Sequence, residues 1–459
     1  MDTVMDEPPW VREQIPDEGN AVAPKELPAQ PDRDITVSDF WAYLPMHSYI
    51  FAPTGEMWPG ASVNSRVPAV QANGKALKPA QWLDSERAVE QMTWAPGEPL
   101  IIEGKLIANG GWIYHSDCRC FNLYRAPVLA RGDRSQAQPW IDHVHRLYGA
   151  EAPHIIRWLA HRVQHPGEKI NHALVLGGKQ GIGKDTLLEP VKYAIGPWNF
   201  SEVAPTHLLG RFNSFVKSVI LRVSEARDLG DVDRYGFYDH MKTYTASPPD
   251  VLRCDEKNVR EYAVPNVCGV IITTNHKGDG IYLPADDRRH FVAWSDLDRS
   301  DFEPEYWPKL YGWFGRGGNA HVAAYLTQLD LSGFDPKAPP PQTAAFWDIV
   351  DANRSPEDAE LADVLDGIGR PPAITLARLA DRAEAAFKDW LQDRKNRRQV
   401  PHRLEGAGYV PVRNSNADDG LWVVSGRRQT IYAHATLALR DRIAAAVELS
   451  GVQRDKLLG

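Results

Sequence analysis

The sequence is poor in cysteine, has no long apolar run and carries no surplus of positive charge. Four cysteines among 459 residues exclude a disulfide-stapled scaffold and point to a reducing compartment. No uninterrupted apolar stretch reaches the roughly 18–20 residues of a membrane-spanning helix, so no membrane partner is expected. Met1 to Asn20 lacks the basic start and apolar stretch of a secretory signal. Lys plus Arg number 52 against 60 Asp plus Glu, a net charge of −8. That balance excludes a wholly basic nucleic-acid coat. It leaves room for a nucleic-acid motor, whose basic groups line a channel while the outside stays acidic. What is present is ordinary for a globular chain: 43% hydrophobic and 24% charged residues, enough for two to four domains of roughly 100–200 residues each.

Composition divides the chain. Residues 1–34 hold six prolines, nine acidic and three basic residues, too little apolar surface to offset the entropy of ordering, so 1–35 is expected to be a disordered tail. Residues 36–136 are rich in aromatics and turn formers. Pieces such as Pro99-Leu100-Ile101-Ile102 and Gly111-Trp112-Ile113-Tyr114 predict a small, mainly β or α+β domain. His115, Cys118 and Cys120 cluster there, but a Cys-x-Cys without a second pair reads as structural burial, not a zinc site. Residues 137–168 switch to helical spacing and predict two short helices around Gly149 and Pro153, a collar before the next domain. From 169 to 334 strands alternate with helices, the candidates being His172–Leu176, Val216–Val223, Val267–Thr273 and His290–Trp294, an α/β sheet with helices on its faces. Residues 335–371 are expected to link or wrap, starting with the Pro-rich Asp335 to Gln342. Within 372–459, residues 375–398 read as helix, and Tyr409–Arg413 with Leu421–Ser425 as strand, turn and strand.

The chemistry is concentrated in 169–334. Gly178-Lys179-Gln180-Gly181-Ile182-Gly183-Lys184-Asp185-Thr186 follows a strand and precedes the helical Leu187–Ala194. Glycines let backbone N–H groups turn inward around a polyphosphate, and a helix N-terminus adds partial positive charge. Lys184 is placed to reach the β- and γ-phosphates of ATP. A Ser or Thr would ordinarily follow the lysine to hold Mg²⁺. Here Asp185 stands in that slot and Thr186 after it, and the residues leave open which ligates the metal. The apolar strand ending Val223-Ser224-Glu225 is expected beside the loop strand, with Glu225 as the base for the attacking water and, since Ser224 replaces the usual Asp, as a metal ligand too. A third apolar strand ends in Thr273-Thr274-Asn275, where the Asn275 amide would bond the γ-phosphate or the water. Arg288 and Arg289, thirteen and fourteen residues later, suit a planar cation that stabilises the transition state across a subunit boundary.

In that order these motifs resemble the superfamily 3 helicases, especially the phage and poxvirus-type primase-helicases, over about 169–300. The resemblance implies a P-loop, AAA+-like core that hydrolyses ATP between the subunits of a homo-hexameric ring and draws single-stranded DNA through its centre. It makes Lys184 the phosphate contact, Glu225 the acidic-strand residue, Asn275 the first sensor, and Arg288 or Arg289 the arginine finger. It implies a pore loop in the charged segment Val251–Tyr262, with Lys257 on DNA phosphate and Arg253 and Arg260 as weaker alternatives. Residues 36–136 are too short for the priming domain of larger family members, so a separate primase or polymerase is expected as partner. In 388–428 nine basic residues face five acidic ones, and helices followed by a hairpin resemble a winged-helix arrangement that would touch DNA. The leading function is an ATP-driven DNA helicase of phage, prophage or plasmid replication. The alternatives are an ATP-switched initiator without processive unwinding and a P-loop phosphotransferase on a small substrate.

Overall fold

The computed structural model describes residues 34–72, 74–224, 230–277, 281–352 and 356–451. The tail expected over 1–35 lies outside these but for Asp34 and Ile35. The chain divides into two compact units, Met1–Gln91 and Met92–Gly459. The division falls inside the segment read as a single domain over 36–136.

In the first unit the aromatic-rich strands Phe40–Tyr43 and Ser48–Phe51 build a sheet with Glu56–Pro59 and Ala88–Val89. Helices Gly60–Arg66 and Pro79–Glu86 close it. Phe40, Tyr49, Val63 and Leu83 form its core, and the buried Tyr49 hydroxyl donates to Asp84 at 3.0 Å.

The second unit opens with a long hairpin, Ile101–Ala108 paired with Gly111–Asn122. Cys118 and Cys120 are buried there, while His115 is exposed. Helices α1 (Gln138–Tyr148) and α2 (Ala152–Gln164) follow, broken at Gly149 as the spacing predicts. Their apolar faces seat Trp140 and Trp158 at 0% exposure. Each indole N–H finds a carbonyl, Leu187 at 2.9 Å and His172 at 3.1 Å. Truncating either tryptophan to Ala is expected to cost about 3–5 kcal/mol.

Five parallel strands form the centre: β1 (Ala173–Gly178), β2 (Phe200–Val203), β3 (Ile220–Val223), β4 (Gly269–Thr274) and β5 (His290–Ser295). Every residue of β1 and β4 is buried, which is why both read as continuous apolar runs. The order across the sheet is β2-β3-β4-β1-β5. Contrary to the expectation from the sequence, the acidic strand β3 does not lie beside the loop strand β1. The sensor strand β4 separates them, its Leu174↔Ile271 and Ile220↔Gly269 registers pairing one strand on each side. Helices α3 (Lys184–Ile195) and α4 (Gly230–Thr245) connect the strands, and α5 (Tyr306–Trp313) follows β5.

Beyond the sheet, helices Ala344–Ala352 and Pro356–Gly367 fall within the stretch read as a linker. The Pro-rich segment wraps the core: Pro336 O accepts from Asn171 N at 2.7 Å, and Thr343 donates to Val292 O at 2.7 Å. The helix expected over 375–398 is broken into Leu376–Ala380, Ala385–Gln392 and a 3-10 turn at Arg394–Arg398. Leu379 and Phe387 both enter one core. On a straight helix they would point about 80° apart, so the chain bends between them. Tyr409–Val412 pairs with Ile431–His434, not with 421–425. Trp422–Val424 turns back onto Arg427–Gln429 instead. Ser425 and Gly426, both at positive φ (49° and 75°), supply the tight two-residue turn that fixes this register.

Candidate functional site

Strand β1 ends in the glycine loop, and the loop runs into α3. Gly183 sits at φ 95°, and a Cβ there would lie 2.6 Å from the His143 ring and 2.7 Å from Trp307, so neither conformation nor space admits a side chain. Lys184 opens the helix at 8% exposure. Its ammonium donates to Gly178 O at 2.5 Å, Lys179 O at 2.8 Å and Asn275 Oδ1 at 2.8 Å. Burial pushes Lys184 down to about 8, with Asp185 opposing and Arg222 reinforcing the shift. The lysine is thus pre-aimed by loop carbonyls and by the amide at the end of β4, which lies ninety-one residues from Lys184 in sequence. His143 on α1 buttresses the turn. Its Nε2 donates to Gly183 O at 3.0 Å, and its Nδ1 accepts from the Tyr306 hydroxyl at 2.7 Å. Burial holds this imidazole below its usual range and hence neutral.

Arg222, in the middle of β3, was hidden to sequence reasoning within an apolar strand. Its side chain is 12% exposed. It donates to Asp185 Oδ1, lies 3.3 Å from Glu202 and reaches Thr273 Oγ1 at 3.3 Å. Asp185 keeps Oδ2 for another ligand. The Thr186 hydroxyl meets Tyr311 Oη at 3.0 Å. Together Gln180, Lys184, Asp185, Arg222, Asn275 and Tyr311 line a cleft of about 400 Å³, a size suited to a small-molecule ligand. Glu225 lies outside the described residues. Ser224, just before it, donates its N–H to Val203 O at 3.0 Å.

Arg288 and Arg289 lie away from this cleft. β5 starts level with the far end of β1, where Ala173 pairs with His290 and Gly178 with Ser295. Ala173 N also donates to Arg289 O at 2.8 Å. The length of β1 alone, about 16 Å, separates the arginines from the glycine loop. With Tyr238, Lys242 and Asp286 they line a second cleft of about 550 Å³. Asp287, next to them in sequence, is buried. It accepts from the N–H groups of Arg289 and His290 at 2.9 and 3.0 Å and from the Tyr238 hydroxyl at 2.8 Å. Burial alone would raise this carboxyl, but His290 and these donors outweigh it and hold Asp287 at about 2. Among the described residues neither guanidinium makes an ion pair.

The charged segment between β3 and β4 is a hairpin, Val251–Cys254 against Tyr262–Pro265. Its acids are engaged at the base: Asp255 with Arg211 at 3.1 Å and Glu256 with Lys217 at 2.7 Å. Arg253 pairs with Glu261 at 2.7 Å. Lys257 and Arg260 are exposed at the tip, beside Asn258 at φ 65°.

A family model described as "Family of unknown function (DUF5906)" matches residues 176–289, a span that starts in β1 and ends on Arg289. The DNA primase-polymerase of Nitratiruptor phage NrS-1 is 27% identical over 157 residues, 33% of this chain and 20% of that protein. The match thus spans about a fifth of that relative's length. A structure of the NrS-1 C-terminal region (305-718) aligns with TM-score 0.60 at 16% identity, covering 86% of this chain and 95% of that one. A second structure of the region gives 0.57, 16% and 86% with 96%. The chain is therefore a mixed α/β protein with a parallel central sheet. It shares its fold with the C-terminal part of a phage primase-polymerase. No helix among the described residues is long and apolar enough to cross a membrane.

Proposed function

We propose that this chain is the motor of a phage, prophage or plasmid replication system: an ATP-driven DNA helicase acting as a homo-hexameric ring on single-stranded DNA. The observation that carries this reading is the Lys184 ammonium, held by loop carbonyls and 2.8 Å from Asn275 Oδ1 at the end of the neighbouring strand. That arrangement supports a lysine that trades carbonyl partners for phosphate oxygens while Asn275 meets the terminal phosphate or its water. Asp185 and Thr186 offer oxygen donors fitted to Mg²⁺ at the phosphates, and the ion would neutralise charge there. Glu225 is the proposed base. Arg288 or Arg289 acts on the site of the next subunit, a reading supported by their placement at the opposite end of the sheet.

Lys257, with Arg253 and Arg260, is the proposed contact to DNA phosphate, since the hairpin spends its acids on neighbours and leaves the lysine outward. The C-terminal elements run helix, strand, three helices, strand, hairpin, strand and a closing helix, an order that supports a winged-helix reading with DNA contact through its exposed Arg394, Lys395 and Arg397. A separate primase or polymerase would act alongside, in the bacterial cytoplasm. The test is a forked DNA with ATP and Mg²⁺. Strand displacement is expected. DNA-stimulated ATP turnover with no displacement on any fork would overturn the helicase reading and favour an initiator.

A further inference from the structure

The cleft that holds Lys184 has an aromatic wall that phosphate chemistry does not use. Trp307, on the first turn of α5, is fixed from several sides. Phe302 lies 5.0 Å away, Tyr306 5.1 Å at 88°, and His143 5.9 Å at 78°. The ring also closes over Gly183, where a Cβ would come within 2.7 Å of it. Tyr311 follows at i+4, on the same helix face. The two rings stack at 6.0 Å and 28°. Yet Tyr311 remains 53% exposed and lines the cleft with Trp307, so ring surface is left open to a ligand there.

The direction of the cleft gives that face a ligand. Asn275 touches Lys184, which marks the side of the terminal phosphates. Tyr311 touches Thr186 instead. A nucleotide whose β- and γ-phosphates meet Lys184 extends its sugar and base away from Asn275, past Thr186, toward this ring.

Resting on the phosphate-loop reading above, we infer that Tyr311, backed by Trp307, is the platform on which the base of a nucleoside triphosphate stacks. Every nucleobase has a π face, so stacking tolerates base identity. The site is expected to take ATP and GTP with affinities within a few-fold of each other, since stacking alone separates them weakly.

The experiment compares binding of ATP, GTP and inorganic tripolyphosphate, each with Mg²⁺, to the full chain and to Tyr311→Ala and Tyr311→Phe. Wild type is expected to bind all three. Tyr311→Ala should weaken ATP and GTP by roughly tenfold while leaving tripolyphosphate unchanged, and Tyr311→Phe should keep both nucleotides within about twofold, because the ring and not the hydroxyl stacks. If Tyr311→Ala weakens tripolyphosphate as much as ATP, the ring only supports the loop and the inference falls. It also falls if no ligand responds to Tyr311→Ala, or if wild type binds ATP far more tightly than GTP. Wild type binding neither ATP nor tripolyphosphate would overturn the phosphate-loop reading itself, and the platform with it.

Discussion

The placement of Arg288 and Arg289 allows a test of whether catalysis is shared between chains. The arginines flank the start of β5, level with Ala173, whereas the glycine loop leaves the other end of β1. About 16 Å of strand intervenes, more than an arginine side chain spans. A chain acting alone therefore cannot bring them to the phosphates at Lys184. A head-to-tail ring can, because one face of each subunit meets the opposite face of the next. Arg288→Ala/Arg289→Ala should then keep ATP affinity but lose turnover, by about a thousandfold if the arginine acts as a finger. Lys184→Ala should be inactive for the complementary reason. Mixed one to one and allowed to exchange subunits, the two inactive proteins place an intact loop beside an intact arginine at about a quarter of the interfaces. Turnover near a quarter of the wild-type value is expected, read by phosphate release and checked for mixed assembly by native mass spectrometry. Mixed rings that regain no activity would refute the shared site.

Other expectations follow from the same geometry. Arg222→Ala leaves the Asp185 carboxylate without its Arg222 partner at the phosphate site and should weaken ATP binding measured without Mg²⁺ roughly tenfold; under the same conditions adding Asp185→Ala should recover part of the loss, and no recovery in a binding titration would show that Arg222 acts otherwise. His154 and His172 meet through Nε2 at 2.9 Å, and burial holds them down to about 4 and about 3. Both therefore stay neutral in the fold while the unfolded chain takes up protons below about pH 6.5, so stability is lost as pH falls from there toward 4. At pH 5 the loss is at most about 2 kcal/mol per histidine, and a thermal melt unchanged between pH 7.5 and 5 would contradict it. Lys257→Ala should preserve basal ATP turnover, weaken single-stranded DNA binding and reduce the salt slope of that binding by about 0.7. An unchanged slope would remove Lys257 from the DNA contact.

The loop was legible because its constraint is local. Strand, glycines, lysine and helix are contiguous, and the positive φ values of Gly178, Gly181 and Gly183 follow from backbone sterics at those positions. The ends of β1, β4 and β5 were nearly as legible, since these strands are largely apolar and buried; β3 begins at Ile220 and not at Val216, and the short β2, Phe200–Val203, was not among the candidates. Strand order was not, because which strand lies between two others is a long-range choice that no residue of β3 encodes. For the same reason Arg222 escaped notice. In a central parallel strand a polar residue breaks no alternation, and its partners Asp185 and Thr273 come from other elements. The 409–434 pairing did carry a local signal in Ser425-Gly426, outweighed by the more conspicuous polar run Asn414–Gly420. Trp307 and Tyr311 belong to a stretch dense in aromatics, from Phe302 to Phe314, that no motif singles out; their place in the cleft comes from packing against the loop.

The central claim is that the glycine loop and Lys184 bind and cleave ATP. The measurement that tests it most directly is ATP binding and turnover by Lys184→Ala beside wild type, with Mg²⁺ and single-stranded DNA present. The variant is expected to lose most ATP affinity and all measurable hydrolysis, because no other ammonium reaches the carbonyls and amide that position this one among the described residues. Wild-type turnover in Lys184→Ala would contradict the account.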